Sequence, residues 1–76
     1  VPIRAEPMGA LVKRSFTLAG HRTSVALEPE FWQALAALAT ARGSSIAALV
    51  TRVDADRPPE RTLASALRVH ALTQSR

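Results

Sequence analysis

The chain has 76 residues with a net charge of +4, and 47% of them are hydrophobic, many of these alanine. A single small domain of this length buries only about 60–65% of the surface its unfolded form exposes, so it ordinarily needs a staple or a partner subunit. Cysteine is absent, which excludes disulfides and thiolate metal sites, and the basic balance (pI near 11.5) points to a polyanionic partner.

Residues 1–12 carry Pro2, Pro7 and Gly9 without sustained periodicity, which predicts a mobile N-terminal arm ahead of a folded domain over 13–76. From Lys13 to Leu18 polar and apolar residues alternate as in a strand. A second alternation runs from Arg22 to Leu27. The two are out of phase: Phe16 and Leu18 are even, Val25 and Leu27 odd. One continuous strand cannot bury both sets, so a bend, bulge or turn is required at Ala19-Gly20. The course of residues 13–18 stays open between a second ribbon strand, an extension of the arm and a hairpin.

Pro29 suits the first turn of a helix, and Glu28 and Glu30 complement its dipole. Phe31, Leu35, Leu38 and Ala39 fall at helical spacing with Trp32 beside them, and Gly43 ends the helix after Arg42. Either Ser44 or Ser45 can cap a second helix, which places Ile46, Leu49, Val50 and Val53 on one face and fades near Asp56. The run Arg57-Pro58-Pro59-Glu60 breaks it, since neither proline continues a helix. Thr62 can cap a third helix with the stripe Leu63, Ala66, Leu67, His70 and Ala71.

One short strand followed by helices leaves the strand's backbone groups without partners. The simplest remedy is a two-fold dimer in which residues 22–27 pair antiparallel with their own copy, an intermolecular two-stranded sheet. Thr23, Val25 and Leu27 then cap a shared core built with Phe31, Trp32, Leu35, Leu38, Ile46, Leu49, Val50 and Val53. Arg22, Ser24 and Ala26 point outward together. A two-stranded ribbon of this kind fits the major groove of B-DNA.

On these residues the chain resembles the ribbon-helix-helix family, the superfamily of the methionine and Arc repressors. The run Gly20-His21-Arg22-Thr23-Ser24-Val25-Ala26-Leu27-Glu28-Pro29-Glu30-Phe31-Trp32 is similar to a branch of alphaproteobacterial type. The segments Ala41–Val50 and Leu63–Val69 match as well, so the resemblance covers about residues 14 to 72. It implies a mainly helical homodimer with a short β-ribbon, here with an additional C-terminal helix. The family's base-reading ribbon positions match Arg22, Ser24 and Ala26. Its second helix points its N-terminus at a phosphate, a position matched by Ser44, Ser45 and Ile46. That agrees with the anion-binding character of free amides at a helix start. Ala26 offers only a methyl, which limits base reading there to thymine contact. Lys13 and Arg14 are expected to add phosphate contacts through non-specific charge.

Plainer roles stand beside these. Ser44 and Ser45 serve as helix caps, and Phe31 and Trp32 as packing. His21 is read as structural, His70 as interfacial, and Asp54, Asp56 and Glu60 as solvated surface. No metal is expected, because His21 and His70 lie far apart with no carboxylate at ligand spacing. No cofactor and no enzyme activity are expected either: there is no nucleophile–base pair and no glycine-rich phosphate loop. The leading reading is a transcriptional regulator that binds double-stranded DNA as a homodimer. An alternative is a dimerising interaction module, antitoxin-like or adaptor, that holds a protein through the third helix at Thr62–Leu72. A membrane role is disfavoured, since no apolar run approaches about 18 residues and 1–12 lack an amphipathic moment. Val1–Pro7 lack the layout of an export signal, which makes the cytoplasm, on the nucleoid, the expected compartment.

Overall fold

A computed structural model describes residues 10–74. Two antiparallel strands, β1 (Val12–Leu18) and β2 (His21–Leu27), form a hairpin. Three helices follow: α1 (Pro29–Ala41), α2 (Ile46–Asp56) and α3 (Leu63–Gln74). Of the expected N-terminal arm, residues 1–9 lie outside the described residues, whereas Val12 already belongs to β1.

The phase switch in the sequence is resolved by a two-residue turn. Ala19 and Gly20 both have positive φ, 50° and 83°. That pair of conformations is the mirror-image turn whose twist matches a hairpin. With only two residues in the loop, even positions of β1 pair with odd positions of β2: Phe16 with Thr23, Leu18 with His21, Arg14 with Val25 and Val12 with Leu27. The two alternations that clash along one strand therefore share a face once the chain folds back.

This pairing corrects the expectation that β2 lacks a mate inside the chain, and it is the hairpin among the alternatives for residues 13–18. The partner of β2 is β1. Closing a two-residue loop fixes few dihedrals, so this local pairing forms at little entropic cost and occupies one edge of β2.

Helix ends follow their local chemistry. Glu28 C=O accepts from the amides of Phe31 and Trp32 to start α1, with Pro29 in its first turn. At the other end, Ser44 N–H donates to Ala39 C=O at 2.8 Å and Gly43 N–H to Thr40 C=O at 2.9 Å. This is a Schellman closure, and the φ of +69° at Gly43 is what it requires. Ser45 caps α2 by accepting from Ala48 N–H at 3.0 Å. Thr62 caps α3 by accepting from Ser65 N–H at 3.1 Å.

The core is a single cluster under the hairpin. Leu27, Leu35, Val50 and Leu67 have no exposed surface, and Leu18, Val25, Trp32, Ala39, Leu49, Val53, Leu63, Ala66 and Ala71 are also buried. Phe31, Leu38 and Ile46 are half-buried against it. The residues expected at the dimer core already pack against one another within each subunit. The reason is α3, which lies against α1, α2 and β2 and fills the space with its apolar stripe. A double contact fastens it: Arg68 Nε and Nη2 both reach Glu28 Oε1 at 3.0 Å, and the guanidinium lies 5.8 Å from the Phe31 ring centroid. The stripe that suggested a docking helix for a foreign protein is therefore spent inside the fold, leaving Val69 and Leu72 as the exposed large apolar side chains of α3. No single helix among the described residues is long and apolar enough to cross a membrane.

Candidate functional site

Strand side chains alternate faces, so a hairpin whose inner face packs on helices offers its outer face whole. Leu18, Val25 and Leu27 are buried on the inner face. On the outer face stand Lys13, Ser15 and Thr17 of β1 and Arg22, Ser24 and Ala26 of β2, paired Lys13–Ala26, Ser15–Ser24 and Thr17–Arg22. Arg22, Ser24 and Ala26 are thus brought together as the sequence suggests.

Hydrogen bonds tie this face across the strands. Arg22 Nη1 donates to Thr17 Oγ1 at 3.1 Å. The hydroxyls of Ser15 and Ser24 lie 3.1 Å apart, within hydrogen-bond distance. No carboxylate stands among the six residues, and Lys13 and Arg22 mark opposite ends. Four residues of antiparallel strand separate their tiers, about 14 Å. All but Ala26, which is half-buried, are exposed. The face is a cationic, donor-rich strip backed by apolar packing.

Ser15 and Thr17 are contributors that sequence reasoning missed. The signal was present: reading Ala19-Gly20 as a two-residue turn fixes the register and sets them beside Ser24 and Arg22.

Lys13 and Arg14, grouped together by sequence, are split by the sheet. Lys13 shares the outer face, while Arg14 takes the opposite one, with its guanidinium 5.1 Å from the centroid of the Trp32 ring. Trp32 Nε1 donates to Val12 C=O at 2.8 Å, and its ring lies 5.9 Å from that of Phe16. Trp32 thereby clamps β1 to α1, a packing role.

Ser44 and Ser45 sit at the start of α2. Ser45 Oγ and C=O satisfy the amides of Ala48 and Leu49, while Ile46 and Ala47 belong to the first turn and have no intrahelical acceptor. Ser44 lines a cleft of about 130 Å³ together with Arg42, Arg52 and His70. Burial of the His70 imidazole, with Arg42 and Arg52 nearby, holds its pKa below the ordinary 6.5. At the base of the hairpin, a backbone hydrogen bond and then Arg68 hold the Glu28 carboxyl below its ordinary 4.5. Among the described residues no group of three His, Asp or Glu side chains is placed to hold a metal ion.

A family model for the ribbon-helix-helix domain matches residues 11–75, from the start of the hairpin to the end of α3. No curated protein and no solved structure matches the chain.

Proposed function

Because the chain belongs to the ribbon-helix-helix domain family, we propose that it is a transcriptional regulator that binds double-stranded DNA as a homodimer. Domains of this family are generally DNA-binding regulators that dimerise, and they are typically not enzymes. The observation that carries the reading is the outer face of the hairpin, with Arg22, Ser24 and Ala26 joined by Lys13, Ser15 and Thr17 and free of carboxylates. In this reading the strip enters the major groove. Arg22 takes a guanine edge through its paired donors, Ser24 reads either kind of edge, and Ala26 meets a thymine methyl. Lys13 and the α2 start, at Ser44 and Ser45, hold phosphates on either side.

The dimer sets two hairpins side by side about a two-fold axis, joined through the edge of β2 that faces away from β1. An exposed strand edge of that kind invites such pairing. The protein acts on the nucleoid in the cytoplasm. A protein partner docking on α3 is a weaker reading, resting on Val69 and Leu72, which are 40% and 67% exposed.

Selection of bound sequences from random duplexes tests the proposal. The expected outcome is an enriched site with two related half-sites, inverted or tandem, at the spacing of a dimer. Recovery of unenriched DNA at all salt concentrations removes it.

A further inference from the structure

One side-chain cluster lies apart from the hairpin face. Arg42 closes the end of α1, Arg52 stands midway along α2 and His70 midway along α3, and all three line the cleft that Ser44 also borders. No carboxylate lines it. Among the described residues Arg52 has no ion-pair partner, and Arg42 is tied to the end of α3 by Nη2 donating to Gln74 Oε1 at 3.2 Å. The charges facing His70 from its other side are Asp56, Arg57 and Arg61, which line the adjoining cleft with Arg52. Of these, Arg57 is already committed, with Nε 2.9 Å from Asp54 Oδ1 and Nη1 donating to Arg61 C=O at 2.6 Å.

Two guanidiniums brought together beside an imidazole repel each other and disfavour its protonation, an arrangement that costs stability unless an anion answers it. A tetrahedral oxyanion does so in kind. Each guanidinium presents a planar fork of donors to it, and charge-assisted bonds of this type are about twice as strong as neutral ones. The anion also reverses the field at His70, favouring the imidazolium.

We propose that Arg42, Arg52 and His70 form a seat for a phosphate-type oxyanion, and that filling the seat favours protonation of His70. Two sources share this chemistry: the backbone of bound DNA, reached beside Ser44, and a free phosphate-bearing small molecule. The first source rests on the DNA-binding reading; the second does not.

The test follows the His70 ring proton by NMR through a pH titration of the full chain. The titration is run in chloride, in inorganic sulfate at equal ionic strength, and with a selected duplex. Sulfate serves as probe because its charge is constant over the range. Sulfate is expected to raise the His70 midpoint by about half a pH unit or more. The Arg52→Gln variant is expected to lose that rise while His21 behaves alike in both proteins. A rise with the duplex as well assigns the seat to the DNA backbone, and duplex affinity then tightens between about pH 7.5 and 6 by about twofold or more, up to the ceiling set by the midpoint rise itself (about threefold for half a unit). That gain persists in His21→Gln and disappears in His70→Gln. A rise with sulfate but not with duplex assigns the seat to a free ligand. Equal midpoints in chloride and sulfate, together with unchanged midpoints on DNA, overturn the proposal. Should the chain bind no DNA selectively, the sulfate arm still decides whether the seat exists.

Discussion

Arg22 on β2 donates through Nη1 to Thr17 Oγ1 on β1 at 3.1 Å, so the arginine proposed to read DNA is held by the strand whose course the sequence leaves open. A guanidinium carries five donors, and giving one to a neighbour leaves others for a base edge while restricting the rotamers of a long side chain. Arg22→Ala is expected to weaken operator binding by about 1–3 kcal/mol without dissociating the dimer. Fluorescence anisotropy, with sedimentation as the control, measures both. Unchanged affinity for every duplex would remove Arg22 from the interface.

Thr17→Val keeps the shape and deletes the acceptor. Its expected effect is smaller, about 0.5–1.5 kcal/mol, and concentrated on discrimination at the base that Arg22 reads. A double-mutant cycle with Arg22→Ala gives the coupling directly. Additive losses would mean that the two side chains act separately.

The turn holds a stability reserve. Ala19 has φ +50°, a conformation that costs an L-residue about 1–2 kcal/mol and that asparagine tolerates better. Ala19→Asn creates the Asn-Gly pair favoured by this turn, and is expected to raise unfolding free energy by about 0.5–1 kcal/mol. Chemical denaturation checks it; a lower midpoint would argue against the hairpin.

The third helix is tested through Leu67, which has no exposed surface. Truncation to alanine is expected to cost about 2–5 kcal/mol, as for other fully buried leucines. Deleting α3 outright should unfold the hairpin along with it. A variant that keeps wild-type stability would return α3 to the role of an appendage for another protein.

Acid should destabilise the fold in two windows. His70 has its folded pKa below the ordinary 6.5, so the unfolded chain binds the proton more readily. Stability is full above 6.5 and declines as pH falls from there through the lowered value. Glu28, with its folded pKa below 4.5, contributes stability above 4.5 that is lost as pH falls through its own lowered value. Denaturation midpoints measured across this range in chloride should decline in both windows, with His70→Gln flattening the upper one and Glu28→Gln the lower. A single transition near pH 4 in the wild-type protein would show that His70 carries no linkage.

Much of this architecture is legible in sequence because it is local. Ser45, Thr62, Gly43 and Pro29 announce helix ends through hydrogen bonds within a few residues, and the phase change around Gly20 announces a turn. What sequence does not display is contact between distant segments. Glu28 and Arg68 are 40 positions apart, and nothing in either neighbourhood names the other. The bond from Trp32 Nε1 to Val12 C=O likewise spans 20 positions. The pairing of β1 with β2 is hidden for the same reason. With the course of residues 13–18 open, sequence alone gives β2 no mate, and it does not display that the α3 stripe packs on α1, α2 and β2 within the chain. Of the candidate site, the β2 half was visible in alternation alone, whereas the β1 half needed the register.

The most direct test maps amide chemical shifts on adding a selected duplex. The largest changes are expected at Lys13, Ser15, Thr17, Arg22, Ser24 and Ala26, with Ser44 and Ser45 next and the inner-face residues Val25 and Leu27 little moved. Changes confined to α3, or an unmoved hairpin in a chain that still binds DNA, would contradict binding through the hairpin face.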